Sequence, residues 1–127
     1  MLRILIIDDD RDLAASIAEY LELDGYQVDT AFTASAGIEA ATIGEYDQII
    51  MDVGLPDMNG IDGMRAIRRA CNTTSVLLIT GYSAAYLSQT TGMPDDGVEL
   101  LTKPLKLDAL SHRLALLVAA RTDRNTD

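Results

Sequence analysis

Short apolar runs alternate with amphipathic stretches along nearly the whole chain. The runs have the length and composition of buried strands. The stretches between them place apolar residues three and four positions apart, as amphipathic helices do. The pattern predicts strands at about 3–8, 26–32, 47–52, 75–80 and 98–102. It predicts helices at about 11–23, 33–44, 61–71, 83–91 and 107–121, of which the fourth has the weakest pattern.

Capping and turn residues lie where these elements should begin and end. Thr33 is the expected N-cap of the second helix, and Gly25 is the expected stop of the first. Asp10 or Asp12 is the expected cap of the first helix. Pro, Asp, Asn and two Gly residues within 53–60 predict a loop between the third strand and the third helix.

The alternation of strands and helices predicts a fold class. Right-handed crossovers between successive strands give a parallel sheet that helices cover on both faces. Strands one, three and four are almost continuously apolar and are expected at the centre, whereas 26–32 alternates and is expected at an edge. We therefore expect an α/β fold with a doubly wound, five-stranded parallel sheet. The chain of 127 residues has the length of one domain. We place this domain at 2–120, followed by a polar tail at 121–127.

Charge and cysteine content narrow the classes of function. Residues 1–63 hold 14 of the 20 acidic residues and only two basic ones, Arg3 and Arg11. This distribution argues against direct nucleic-acid binding, which needs a basic face. The chain has no apolar run that could span a bilayer, so no membrane association is expected. Cys71 is the only cysteine, so no internal disulfide can form and a cytoplasmic location is expected.

Polar residues that can carry chemistry follow four of the five predicted strands. Asp8 and Asp9 follow the first, Asp52 the third, Thr80 the fourth and Lys103 the fifth. Ligand sites in open α/β sheets form outside the carboxyl ends of the strands. We therefore expect three acids, a hydroxyl and an amine to meet in one pocket.

That set of groups suits a divalent cation and a phosphoryl group. Mg²⁺ prefers oxygen ligands, which Asp8, Asp9 and Asp52 can supply. Asp52 can also act as a nucleophile and form an aspartyl phosphate. Thr80 can donate a hydrogen bond to one phosphoryl oxygen, and Lys103 can pair with another.

Two other classes of protein with related chemistry fit the sequence less well. A phosphatase of the haloacid dehalogenase type would need a second acid two residues after the nucleophile, where this chain has Gly54. A nucleotide or flavin binder would need a Gly-rich loop after the first strand. Residues 9–12 are instead mostly acidic, and they would repel phosphate unless a cation intervened.

Four segments of the chain carry a recognisable family pattern: ILIIDDD (4–10), YDQIIMDVGLPDMNGID (46–62), LLITGYS (77–83) and LLTKPL (100–105). They resemble the receiver domain of two-component response regulators, and the resemblance covers about residues 2–120. The chain could be a stand-alone regulator or a piece of a larger protein, whereas a pseudo-receiver would be expected to lack part of the site.

The resemblance implies roles for particular residues. Asp52 would be the phosphoacceptor, with Mg²⁺ (or Mn²⁺) held by Asp8, Asp9, Asp52 and the main-chain carbonyl of Gly54. Thr80 would be the switch hydroxyl, and Lys103 the phosphate-binding lysine, with a cis peptide bond to the following proline. The implied strand order is 2-1-3-4-5, as in flavodoxin-like folds.

The resemblance also implies a function and partners. The chain would be a signalling switch rather than an enzyme with a separate substrate, and it would catalyse its own Mg-dependent phosphorylation and dephosphorylation. A histidine kinase or a phosphotransfer protein would supply the phosphoryl group. A downstream protein or an output domain would receive the signal, and a homodimer stays open.

One departure from the family pattern concerns the switch. Many receivers carry Tyr or Phe three residues before the lysine, whereas this chain has Leu100. An apolar side chain has no hydroxyl to favour an exposed state, so we expect Leu100 to stay packed against the core. The signal is then expected to leave mainly through residues 82–97, which include Tyr82.

Overall fold

The computed structural model describes residues 2–70, 75–81 and 99–125, the last six of these by their backbone alone. Within these ranges, strands and helices follow one another in the predicted order. The elements are β1 (Arg3–Ile7), α1 (Arg11–Leu23), β2 (Gln27–Ala31), α2 (Ala34–Ile43), β3 (Gln48–Asp52), α3 (Gly60–Ala70), β4 (Ser75–Thr80), β5 (Glu99–Thr102) and α4 (Leu107–Asn125).

The five strands form one sheet in the order β2-β1-β3-β4-β5. All four neighbouring pairs are parallel. The residues of β1, β3 and β4 are buried almost throughout, while β2 has several exposed residues. The predicted doubly wound α/β fold, its strand order and the edge position of the second strand are confirmed.

Each face of the sheet has its own hydrophobic core because strand residues alternate between the faces. Leu5 and Ile7 of β1 contribute to the core beneath α2 and α3. Ile4 and Ile6 contribute to the core beneath α1 and α4. The apolar residues of α4 pack into this second core, with Leu110 and Leu114 fully buried or nearly so. Nearly continuous apolar strands are therefore the expected sequence of a sheet covered on both faces.

The helix caps agree with the sequence. Of the two candidates for α1, Asp10 is the cap, since its Oδ1 accepts a hydrogen bond from the N–H of Leu13 at 3.0 Å. Thr33 caps α2 by accepting from the N–H of Ala36 at 3.1 Å. No helix in the described part of the chain is long and apolar enough to cross a membrane.

Element ends differ from the prediction by a few residues. The first strand ends at Ile7 rather than Asp8, because the chain turns where the acidic residues begin. The last helix continues to Asn125, although its final residues are polar. Cys71, Tyr82 and the helix predicted near 83–91 lie outside the described residues.

Candidate functional site

The carboxyl ends of four strands bring the predicted site residues to one edge of the sheet. Asp52 ends β3, and Thr80 ends β4. Asp8 and Asp9 come directly after β1, and Lys103 comes directly after β5. Parallel strands have their carboxyl ends on the same side, so residues from both ends of the chain share this edge.

The three aspartates form a compact cluster. One carboxylate oxygen from each of Asp8, Asp9 and Asp52 lies within 4.8 Å of the other two. Asp8 is fully buried and Asp52 is 5% exposed, whereas Asp9 is exposed. The cluster therefore extends from the interior of the protein to its surface.

A turn at the end of β1 explains how two adjacent acids reach one site. The N–H of Asp8 donates to the carbonyl of Ala31 at 3.0 Å, which continues the pairing between β1 and β2. Asp8 Oδ1 then accepts a hydrogen bond from the N–H of Asp10 at 2.9 Å. This side-chain turn ends the strand, so the alternation of side chains no longer forces Asp9 away from Asp8.

Lys103 places one positive charge beside the buried acids. Its Nζ lies 3.4 Å from Asp8 Oδ2 and 3.4 Å from Asp52 Oδ2. Its backbone N–H donates to the carbonyl of Thr80 at 2.7 Å. This bond holds Lys103, the residue after β5, beside the end of β4. The peptide bond between Lys103 and Pro104 is cis, as the resemblance implies. Thr80 is fully buried, one position beyond the residue that pairs with Asp52.

Burial and neighbouring charges together shift two pKa values in the site. Burial raises the pKa of the Asp8 carboxyl, and the nearby charge of Asp52 adds to the shift, against the N–H of Asp10 and the charge of Lys103. Burial acts to lower the pKa of Lys103, but the charges of Asp52 and Asp8 outweigh it and the pKa is raised. One ammonium thus offsets only part of the repulsion among the carboxylates.

The donor atoms fit a divalent cation. Asp8 Oδ2 is buried and makes an ion pair with Lys103, but it accepts no hydrogen bond from the described residues. Carboxylate oxygens are the ligands that Mg²⁺ prefers, and three of them converge here. A cation at this position would give the buried oxygen a direct ligand contact in place of the hydrogen bond that it does not accept.

A tight loop follows Asp52. The N–H of Gly54 donates to Asp52 Oδ1 at 3.3 Å, and Gly54 pairs with Asn59 across the loop. A Cβ atom at Gly60 would lie 2.2 Å from the carbonyl oxygen of Asp52. Residue 60 must therefore be glycine for α3 to begin so close to the candidate site.

Leu100 packs against the core in this structure, and its behaviour on phosphorylation stays a prediction. It pairs with Leu78 in the register of β4 and β5, and it is half-buried against the core beneath α2 and α3. The proposed route of the signal through 82–97 lies outside the described residues.

Sequence reasoning missed two contacts near the site. The carboxylate of Asp57 accepts hydrogen bonds from the N–H groups of Ala34 and Ser35, and these bonds hold its pKa below the usual range. The guanidinium of Arg11 lies 4.1 Å from the ring centre of Phe32. Neither contact has a local sequence signal, because each joins residues from different elements.

Comparison with known proteins identifies the family. The sequence matches the response regulator receiver domain over residues 4–115. The chain belongs to this family. As a receiver domain it is a signalling switch, and phosphoryl acceptance is the function of the family. The alternatives of a dehalogenase-type phosphatase and a nucleotide or flavin binder are therefore set aside.

Curated relatives are longer than this chain. The response regulator ArlR of Staphylococcus saprophyticus is 31% identical over 125 residues, which cover 98% of this chain and 56% of that protein. The cell cycle transcriptional regulator CtrA of Caulobacter vibrioides is 34% identical over 119 residues, which cover 92% of this chain and 50% of that protein. The chain thus spans about half the length of these relatives.

Solved receiver structures match the fold over most of the chain. A CheY-like receiver domain protein from Methanospirillum hungatei has a TM-score of 0.86 and 25% identity, with 98% of each chain covered. The response regulator TrrA of Thermotoga maritima, solved in complex with Mg²⁺ and BeF, has a TM-score of 0.80 and 28% identity. That match covers 92% of this chain and 99% of the other.

Proposed function

We propose that Asp52 accepts the phosphoryl group in this receiver. The proposal assigns Mg²⁺ (or Mn²⁺) to Asp8, Asp9, Asp52 and the main-chain carbonyl of Gly54. The observation that carries it is the cluster of three carboxylates within 4.8 Å, with two of them sharing the Lys103 ammonium. The complex of TrrA with Mg²⁺ and BeF supports a divalent cation in a receiver of this fold.

The residues have distinct roles in the transfer. A carboxylate oxygen of Asp52 forms the bond to phosphorus while the bond from phosphorus to the donor's histidine nitrogen breaks, and the electron pair leaves with the imidazole. Lys103 exchanges its carboxylate partners for a phosphoryl oxygen, and the Thr80 hydroxyl donates to another. A divalent cation held by Asp8, Asp9 and Asp52 would offset the repulsion between the attacking carboxylate and the incoming oxygens.

The same residues support the rest of the switch. We infer that the domain catalyses its own Mg-dependent phosphorylation and dephosphorylation in the cytoplasm, with a histidine kinase or a phosphotransfer protein as donor. The phosphorylated state signals to a downstream protein or to an output domain. Relatives of about twice this length, among them a transcriptional regulator, support an output domain.

Phosphoryl uptake tests the assignment of Asp52. Purified protein is incubated with acetyl phosphate and Mg²⁺, and its intact mass is measured. The wild type is expected to gain one phosphoryl group, and the gain should disappear in Asp52→Asn or when EDTA removes the cation. Asp62→Asn is the matched control, since Asp62 lies on α3 and its side chain is exposed.

Phosphoryl uptake by the variants decides whether Asp52 or another residue is the acceptor. Uptake by Asp62→Asn at the wild-type level shows that loss of one aspartate charge does not by itself block the reaction. Equal uptake by the wild type and Asp52→Asn would show that another residue is the acceptor.

A further inference from the structure

Asp57 joins the loop after β3 to the start of α2. Its Oδ1 accepts a hydrogen bond from the N–H of Ala34 at 2.8 Å, and its Oδ2 accepts one from the N–H of Ser35 at 2.9 Å. These N–H groups belong to the first turn of α2, where the helix itself offers no acceptor. Thr33 caps the same turn through the N–H of Ala36. The helix therefore has one local cap and one cap from a distant loop.

The helix that Asp57 contacts is held firmly against β1. A Cβ atom at Gly37 of α2 would lie 2.4 Å from Ile7 Cδ1, so helix and strand approach closely at this point. Ile7 is fully buried and directly precedes Asp8. The position of the α2 N-terminus is thus tied to the strand that carries one of the candidate metal ligands.

The loop that carries Asp57 is closed at its base. Gly54 pairs with Asn59, and the N–H of Gly60 donates to the carbonyl of Val53 at 2.7 Å. Asn59 Oδ1 accepts from the N–H of Ile61 at 2.8 Å, which caps α3. The contact with α2 fixes the far side of this loop, so the loop is held at both its base and its tip.

We propose that Asp57 is a positioning residue for the metal site, because it holds the 53–59 loop, which contains Gly54, the proposed main-chain ligand. This inference rests on the function proposed above. A carboxylate that accepts two N–H groups at a helix N-terminus makes a strong contact. Groups that orient metal ligands without touching the metal commonly change metal affinity when they are removed.

A purely structural role for Asp57 makes a different prediction. If Asp57 only caps α2, its loss lowers the stability of the protein and leaves cation affinity unchanged. The chain offers a matched control in Thr33→Ala, which removes the local cap of the same helix. The described contacts of the Thr33 side chain do not reach the 53–59 loop.

Titration with Mn²⁺, followed by electron paramagnetic resonance of the free ion, measures cation affinity without any phosphoryl transfer. Thermal melts of the same samples record stability. Asp57→Ala is expected to raise the Kd for Mn²⁺ by roughly three- to tenfold, within the range of indirect coupling. Asp57→Asn keeps one acceptor oxygen, so its Kd for Mn²⁺ is expected to lie between those of Asp57→Ala and the wild type. Thr33→Ala should melt earlier and keep the wild-type Kd.

Two outcomes would overturn the positioning role of Asp57 and leave the proposed metal site intact. One is an unchanged Kd in Asp57→Ala. The other is an equal loss of affinity in Asp57→Ala and Thr33→Ala, which would mean that any weakening of α2 is sufficient. In both cases the wild type still binds Mn²⁺ and Asp52→Asn does not. A wild type that binds no Mn²⁺ would instead refute the proposed metal site, and the role of Asp57 with it.

Discussion

At the scale of single residues, the carboxyl group of Asp8 is buried beside Asp52 and Lys103. Its pKa is raised, first by burial and further by the charge of Asp52. A raised pKa means that the folded protein binds this proton more tightly than the unfolded chain does. Protonated Asp8 therefore contributes its full stabilisation at pH values below 3.8, the pKa of this group in the unfolded chain. This stabilisation is lost as the pH rises through the higher pKa of the folded protein.

We expect Asp8→Asn to stabilise the protein at pH 7.5 in the absence of divalent cations. The substitution removes a buried negative charge and keeps the oxygen that accepts the N–H of Asp10. The expected rise in melting temperature is roughly 2–5 °C. Melts at pH 7.5 and pH 4 check the sign, since the difference from wild type should shrink at the lower pH.

Asp9→Asn is the control for this prediction. Asp9 lies within the same turn but is exposed, so its neutralisation should change the melting temperature of the cation-free protein by less. A lower melting temperature for Asp8→Asn at pH 7.5 would contradict our account of the buried carboxyl.

At the scale of elements, helices approach strands at glycines. The space at Gly60 is bounded by backbone atoms, the carbonyl oxygen of Asp52 and the Cα atom of Val53. The space at Gly37 is bounded by the side chain of Ile7. Backbone atoms of a buried strand cannot move aside as the end of a side chain can, so the two glycines should differ in their tolerance of a methyl group.

We expect Gly60→Ala to lower the free energy of unfolding by more than about 3 kcal/mol and Gly37→Ala by about 1–3 kcal/mol. Gly81→Ala is the control, because a Cβ atom there meets no atom of the described residues within 4 Å. The free energy of unfolding of Gly81→Ala should differ from that of the wild type by no more than about 0.5 kcal/mol. Urea denaturation measures all three, and a cost at Gly37 equal to that at Gly60 would contradict this ranking.

At the scale of the whole molecule, cation binding should stabilise the fold, because the ligands come from separate strands that only folding brings together. A cation that binds only the native state adds about 1.4 kcal/mol to the free energy of unfolding when its free concentration is about ten times its Kd. We therefore expect MgCl₂ to raise the melting temperature of the wild type by a few degrees, and not that of Asp9→Asn. A magnesium-induced shift of the same size in Asp9→Asn would count against Asp9 as a ligand.

Much of this architecture follows from periodicity. Strands such as β1 and β3 are recognisable because almost every residue is apolar, and α4 because its apolar residues form a stripe. Such patterns are local, so they survive in the sequence. The convergence of the candidate site residues was also predictable, since parallel strands bring their carboxyl ends to one edge and the polar residues lie at the ends of the apolar runs.

Contacts between elements depended on tertiary structure. The acid in PDMNG is locally indistinguishable from a solvated loop residue, and only the packing of α2 on β1 brings Ala34 and Ser35 within reach of Asp57. Likewise, the sequence shows three acids and a lysine, but the burial of Asp8 and its distance from Lys103 depend on how four strands lie beside one another. The sequence alone determined the elements and the strand ends at which the site forms, because periodicity is local. The tertiary structure decided which charges are buried and which loops are held, because those depend on distances between residues far apart in the chain.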